Sequence, residues 1–150
     1  MKKQVLFLSL LVAFIGTIFQ ANAQSRTTEI GDFVAAAKEA EDELAMLLPA
    51  VQKVREYAAF VPTIEAAIKL AKQVQRAGTS MTQRQYETFQ NDLAKLEADL
   101  DQQTRQQQQA PYTCHGKCEA DFPGKGGGKG WKRFWCKVGC IKFGPFQGGN

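Results

Sequence analysis

The sequence predicts an all-α protein built from three parts: a signal peptide, a helical hairpin or bundle with coiled-coil-like seams, and a small two-helix hairpin clasped by disulfides. Three observations support this prediction. Residues 1–23 have the layout of a signal peptide, the middle of the chain carries apolar residues at helical spacing, and four cysteines form two pairs around a glycine-rich turn.

Residues 1–23 are predicted to be a secretory signal peptide. Lys2 and Lys3 form its basic start, residues 5–19 form an apolar core that is short for a membrane span, and residues 21–23 (Ala-Asn-Ala) match a small-x-small cleavage site. We therefore expect a secreted or periplasmic protein of bacterial type, whose mature chain begins at Gln24.

Residues 24–101 are predicted to form the helical hairpin or bundle, because two stripes of apolar residues recur at alternating spacings of three and four. The first stripe consists of Phe33, Ala37, Ala40, Leu44, Leu47, Val51, Val54, Ala58 and Val61. The second consists of Tyr86, Phe89, Leu93, Leu96 and Leu100, and it ends before a Gln-rich linker at residues 102–111. Packing the two stripes together buries both of them.

The breaks in this helical region leave two arrangements open. The first stripe keeps its phase through Pro49, which favours a kinked helix over a reversal, and Pro62 raises the same question. Gly78 suits a helix C-terminus, and Ser80 with Gln83 suits a capping box, so the next helix should begin near Thr82. The result is an antiparallel hairpin that turns near Gly78, or a three-helix bundle if one of the prolines reverses the chain.

Residues 112–150 are predicted to form a cationic, cysteine-rich hairpin with a glycine-rich tail. Each cysteine pair is spaced by four residues, so each can line one face of a helix, and residues 123–130 (PGKGGGKG) supply the reversal between the helices. Facing residues of an antiparallel pair have a constant sum of positions, which favours the nested disulfides Cys114–Cys140 and Cys118–Cys136. The four cysteines with His115 could instead bind zinc, but this spacing and an oxidising compartment favour disulfides, and we expect an exposed His115.

This pattern of two Cys-x-x-x-Cys motifs separated by a spacer resembles the plant α-hairpinin antimicrobial and protease-inhibitor peptides. It is also similar to the twin Cys-x-x-x-Cys helical hairpins of the mitochondrial intermembrane-space chaperones. The resemblance covers about a quarter of the chain, and only the four cysteines carry over. It implies a disulfide-clasped helical hairpin and allows an antimicrobial or inhibitor-like role.

Charge and aromatic residues favour a surface-binding function for this hairpin. Residues 24–111 carry ten Lys or Arg against thirteen Asp or Glu, whereas residues 112–150 carry seven against two. Cationic side chains attract anionic lipids or polymers, and aromatic rings bury at a headgroup boundary. The predicted surface-binding residues are Lys125, Lys129, Trp131, Lys132, Arg133, Trp135, Lys137 and Lys142. In the competing interpretation, the aromatic residues, Phe122 and Trp131 among them, form the hairpin's small core.

The sequence contains no recognisable catalytic or cofactor-binding motif. A single histidine argues against histidine-based triads, and no phosphate-binding glycine loop or zinc-protease motif is present. The glycine-rich turn is interpreted as a flexible, solvated loop. The acidic run Glu39, Glu41, Asp42 and Glu43 is interpreted as a solvated helix face. We expect no enzyme activity, no cofactor and no metal.

Two functional hypotheses follow. In the first, an exported, non-enzymatic protein binds an anionic membrane or envelope polymer through its cationic hairpin, in an antimicrobial or toxin-like manner, with the acidic helices as carrier, neutralising partner or stalk. In the second, the coiled-coil seam binds a helical protein partner or a second copy, and the hairpin is an end-piece or an inhibitor-like module with Lys125 or Lys129 on its loop. Nucleic acid is not expected as a biological partner, because the protein is predicted to be exported.

Overall fold

The computed structural model describes residues 2–107 and 112–141, and for residues 2–23, 56, 107, 112 and 113 it describes the backbone alone. This part of the chain contains five α-helices and no strand, which confirms the all-α prediction. The helices are α1 (Lys2–Lys53), α2 (Val61–Ala77), α3 (Gln83–Gln107), α4 (Tyr112–Asp121) and α5 (Lys129–Cys140). Short 3₁₀ turns at Arg55–Phe60 and Gly78–Ser80 join α1 to α2 and α2 to α3.

Helix α1 includes the segment that the sequence predicts to be a signal peptide. Its backbone is helical without interruption from Lys2 to Lys53. The side chains of residues 2–23 lie outside the description, so the signal peptide and its cleavage site remain predictions. No helix in the described part of the chain has the length and apolarity needed to cross a membrane.

The prolines define where the first helix ends and the second begins. Pro49 lies inside α1, as the uninterrupted apolar phase indicates, and α1 continues to Lys53. Val54 is extended, and Pro62 lies in the first turn of α2, where its missing N–H leaves no intrahelical hydrogen bond unmade. The chain therefore reverses between these two prolines. The first apolar stripe packs into the core as far as Val51; Val54 and Ala58 of the connection are exposed, and Val61, at the start of α2, is partly buried.

Helices α1, α2 and α3 form an antiparallel three-helix arrangement, one of the two left open by the sequence. Near the connection, Gln52 of α1 donates a hydrogen bond to Glu65 of α2. Farther from the connection on both helices, Gln75 of α2 donates one to Glu41 of α1. This progression shows that α1 and α2 run in opposite directions. Thr63, at the start of α2, donates to a side-chain oxygen of Gln103, near the end of α3, at 3.0 Å.

The turn between α2 and α3 differs in one detail from the prediction. Gly78 caps α2 with a positive φ of 61°, as expected. The capping box is formed by Thr82 and Gln85, not by Ser80 and Gln83. The Thr82 N–H donates to Gln85 Oε1 at 2.8 Å, and the Gln85 N–H donates to Thr82 Oγ1 at 3.2 Å. The Ser80 hydroxyl instead donates to the carbonyl of Ala77.

Helix α5 completes a four-helix core by packing against α1 and α3. It runs parallel to α3, because the contacts advance in the same direction along both helices. Arg133 contacts Glu97, and Lys137, one turn further along α5, contacts Asp101, which is one turn further along α3. Trp131, Phe134, Val138 and Ile141 belong to the same buried cluster as the side chains of the first three helices. The cysteine-rich hairpin therefore shares its core with the bundle.

Both disulfides have the predicted nested pairing, which holds α4 against α5. Cys114–Cys140 and Cys118–Cys136 join Cα atoms 6.0 and 5.7 Å apart. Loops of 26 and 18 residues correspond to about 3 kcal/mol each in the chain-entropy model, less than additive here because one loop lies inside the other.

Candidate functional site

The C-terminal hairpin, which we define as α4, α5 and the turn between them, separates the predicted binding residues into an outward and an inward group. Lys125, Lys129 and Lys132 are exposed. Lys117 on α4, which is not among the predicted binding residues, is exposed as well. None of these four lysines forms an ion pair with a residue that the structure describes. Lys142 lies outside the described residues.

The inward group of the C-terminal hairpin is buried. Trp131 and Lys137 each keep only 1% of their surface exposed, and Arg133 and Trp135 are partly buried. Trp131, Phe134 and Val138 recur at spacings of three and four and so face the core together. Trp131 and Lys137, both predicted to be surface-binding residues, therefore lie inside the protein, as the core interpretation of Trp131 expected.

Lys137 is the buried centre of a cluster of charged side chains between α3, α4 and α5, in which Glu97 is also buried, Asp101 is partly buried and Glu119 is exposed. Its Nζ lies 2.9 Å from Glu97 Oε1, 2.8 Å from Asp101 Oδ2 and 2.8 Å from Glu119 Oε1. Burial lowers the pKa of Lys137, but the three hydrogen bonds to carboxylates outweigh burial and raise it above the ordinary lysine value. Lys137 is therefore a charged residue that the carboxylates hold inside the protein.

Arg133 joins the same cluster one turn earlier on α5. Its Nε and Nη2 contact the two oxygens of Glu97 at 2.6 and 2.9 Å, a two-pronged pairing that fixes the guanidinium plane. Its Nη1 donates to the carbonyls of Phe122 and Gly124 at 2.9 and 2.7 Å. The Glu97 hydrogen bonds raise the pKa of Arg133 more than burial lowers it. Arg133 thus ties α3 to the end of α4.

His115 completes the cluster, and the expectation that it is exposed is wrong. The side chain is buried, with Nδ1 2.7 Å from Asp101 Oδ1. Its Nε2 has no hydrogen-bond partner among the described residues. Burial raises the pKa of Asp101, but hydrogen bonds from His115 and Lys137 outweigh it and lower that pKa. Together with Glu97 and Glu119, these residues link the acidic bundle to the basic hairpin.

The glycine-rich turn is packed against the bundle and is not the solvated loop that the sequence suggested. The Gly127 N–H donates to the Tyr86 hydroxyl at 2.9 Å, and Gln90 donates to the carbonyl of Lys125 at 2.7 Å. A Cβ at Gly128 would lie 2.7 Å from the Ala36 Cβ, so only glycine allows this approach to α1. Gly124 and Gly127 have positive φ, as the reversal requires.

Two grooves flank the C-terminal hairpin where it meets α1. One, of about 490 Å³, is lined by acidic side chains of α1, by the glycine-rich turn and by Lys129 and Lys132. The other, of about 450 Å³, we call the aromatic groove. The aromatic groove is lined by Ala36, Glu39, Ala40, Glu43, Asp121, Phe122, Trp131, Lys132, Trp135 and Cys136.

The acidic run on α1 is divided between solvent and these grooves. Glu41 accepts a hydrogen bond from Gln75 and lies 3.7 Å from the ammonium of Lys72, and Asp42 is exposed. Glu39 and Glu43 line the aromatic groove. Burial, followed by the negative charge of Glu39, raises the pKa of Glu43. The solvated-face interpretation therefore holds for Glu39 and Asp42, which are exposed, but not for Glu41 and Glu43, which are partly buried.

Comparisons with known proteins add no identification. No protein-family model matches the chain, and neither does any curated protein or solved structure. Within the described residues, His, Cys, Asp and Glu side chains form no group of three that could bind a metal ion. The resemblance to disulfide-clasped hairpins rests on four cysteines and their pairing, so function has to be argued from the grooves, the buried cluster and the outward lysines.

Proposed function

We propose that this is an exported, non-enzymatic protein that binds an anionic membrane or envelope polymer through the outward lysines of its C-terminal hairpin. The observation that carries the proposal is the separation of the hairpin's cations into two groups. Arg133 and Lys137 are taken up by carboxylates of the protein itself, whereas Lys117, Lys125, Lys129 and Lys132 remain exposed and unpaired among the described residues.

Rigid presentation supports this assignment. Two disulfides hold α4 on α5, and the Tyr86 and Gln90 hydrogen bonds fix the turn that carries Lys125. Because these backbone positions are ordered before binding, less conformational entropy is lost when the lysines meet a charged surface. The acidic helical bundle then supports the hairpin, and its carboxylates neutralise the inward cations.

The competing proposal, a helical partner on the coiled-coil seam, is less well supported. Phe33, Leu44 and Val51 of the first stripe are fully buried within the chain, as is Leu100 of the second. A seam that is already packed leaves little apolar surface for a partner helix or a second copy. Export itself is supported by the disulfides and by the signal-like residues 1–23.

The test is binding of the oxidised protein to vesicles. We expect binding to phosphatidylglycerol-containing vesicles that weakens with salt, and none to pure phosphatidylcholine. At about 1 kcal/mol per lysine near a charged surface, Lys117→Gln/Lys125→Gln/Lys129→Gln should weaken binding by on the order of 100-fold at low salt. Purified lipopolysaccharide in place of vesicles distinguishes an envelope polymer from lipid.

The matched control is Lys38→Gln/Lys53→Gln/Lys69→Gln, which removes the same charge from exposed positions on α1 and α2. Equal loss of binding in both triple variants would mean that net charge alone drives the contact, and the hairpin would have no special role. Absence of binding to vesicles and to lipopolysaccharide would refute the proposal.

A further inference from the structure

The aromatic groove has the composition of a ligand site and shares only Lys132 with the outward lysines of the proposed function. Its volume of about 450 Å³ falls in the range of small-molecule pockets. Three aromatic side chains, Phe122, Trp131 and Trp135, contribute to its walls, and these include both tryptophans of the chain. Trp131 is 1% exposed, and its indole N–H has no hydrogen-bond partner among the described residues.

The charge of the aromatic groove is predominantly negative. Glu39, Glu43 and Asp121 supply three carboxylates, and Lys132 supplies the single cation among the groove's lining residues. None of these carboxylates forms an ion pair within the part of the chain that the structure describes. The negative charge of Glu43 is unfavourable in the groove, because burial and the neighbouring Glu39 both raise the pKa of Glu43. A positive ligand would relieve this repulsion.

We propose that the aromatic groove binds a small organic cation, in which an ammonium group is joined to an aromatic or alkyl body. Carboxylates at the rim pair with the ammonium, and the indole and phenyl rings accept the apolar body and add cation–π attraction. An anionic ligand would meet three carboxylates and one lysine. A neutral apolar ligand would leave the carboxylate repulsion unrelieved, so charge complementarity selects the cation.

The probe is phenethylammonium, with 3-phenylpropionate as an anion of nearly the same shape. Because both tryptophans line the groove, their fluorescence and their indole N–H resonances in ¹⁵N-correlated NMR report occupancy without a label. We expect saturable changes with phenethylammonium at a Kd on the order of 1 mM, and none with 3-phenylpropionate.

Variants on α1 locate the contact. Glu43→Gln and Glu39→Gln each remove one negative charge from the groove and should weaken phenethylammonium binding by about fivefold. Asp42→Asn removes the same charge from an exposed position outside the groove and should leave the affinity unchanged. Glu39 is exposed, so its variant keeps the test valid if Glu43→Gln proves unstable on thermal unfolding.

Three outcomes would overturn the inference. They are the lack of any saturable change up to the solubility limit of the probe, an equal response to 3-phenylpropionate, and an equal loss of affinity in Asp42→Asn and Glu39→Gln. Each can be distinguished from a failure of the proposed surface binding, because the vesicle assay depends on Lys117, Lys125 and Lys129, and none of these lysines lines the aromatic groove.

Discussion

Two interfaces in this molecule, between α1 and α2 and between α3 and α5, use different chemistry. Helices α1 and α2 meet along an apolar seam in which Leu44, Val51 and Ile64 are fully buried. An ion pair between them, Lys72 with Glu41, lies at the margin, with the lysine side chain 53% exposed. Helices α3 and α5 instead enclose charge, because Lys137 is 1% exposed and contacts carboxylates of Glu97 and Asp101.

This difference indicates how each interface is specified. Apolar burial is non-directional, so the α1–α2 seam gains stability from area and tolerates small changes in contact geometry. A buried ion requires each partner at hydrogen-bonding distance, since an unpaired buried charge is strongly unfavourable. We infer that Lys137 and Arg133 define where the C-terminal hairpin docks, while Trp131 and Phe134 supply the apolar area that holds it there.

The largest expected effect comes from removing the central cation. Lys137→Met keeps most of the side-chain volume but leaves three carboxylates without their shared partner, and we expect the free energy of unfolding to fall by about 3–5 kcal/mol. Lys72→Met, at the margin of the apolar interface, should change it by less than about 1 kcal/mol. Urea unfolding of the oxidised protein measures both. Similar losses in the two variants would contradict the distinction between the interfaces.

The contact between the glycine-rich turn and α1 depends on shape, in contrast to the ionic contact between α3 and α5. A substitution that blocks it should have a smaller effect on stability than the loss of Lys137. Gly128→Ala places a Cβ 2.7 Å from the Ala36 Cβ and 3.0 Å from the Asp32 carbonyl oxygen. We expect a loss of about 1–3 kcal/mol in urea unfolding, because the turn must move away from α1.

The control for this steric test is Gly139→Ala. Gly139 lies in α5 with no atom near its Cβ position, so alanine should stabilise the protein by about 0.5–1 kcal/mol through helix propensity. A neutral Gly128→Ala would indicate that the turn is held less tightly than its contacts suggest.

The sequence predicts the apolar interface better than the ionic one. The apolar interface follows from the spacing of residues that are close in sequence, whereas the ionic interface joins residues that are far apart in sequence. The stripe from Phe33 to Val51 is a local pattern, and its period alone indicates the buried face. The disulfide pairing also follows from local spacing once a glycine-rich reversal separates the two cysteine pairs. Past Val51 the period continues into the connection, where α1 has already ended, so periodicity alone overextended the helix.

The ionic interface has no local pattern. Lysine is rarely buried, so the sequence alone predicts that Lys137 lies on the surface. Asp101 lies 36 positions earlier in the chain, and only the fold brings the two together. One signal was present: the acidic middle and basic end of the chain have opposite net charge, which is compatible with an internal pairing as well as with an external target.

The smallest effect concerns the pH dependence of the ionic interface. The pKa of Asp101 is lower in the folded protein than its ordinary value of about 3.9, so on acidification the unfolded chain takes up the proton first. The stability that Asp101 contributes is therefore complete above that ordinary value and is lost as the pH falls through the folded pKa. The raised pKa of Lys137 adds no loss in this range, because lysine stays protonated in both states.

Asp101→Asn should consequently lower the urea midpoint at pH 7 and flatten its decline as the pH falls below the ordinary carboxyl pKa of about 3.9. The matched control is Asp99→Asn, at an exposed position of the same helix, which should keep the parental pH profile. If both variants keep the parental slope, Asp101 is not the group through which the hairpin interface responds to acid. A flattened slope in Asp101→Asn alone would place that response at the carboxylate that His115 and Lys137 share, and would separate it from the apolar α1–α2 seam.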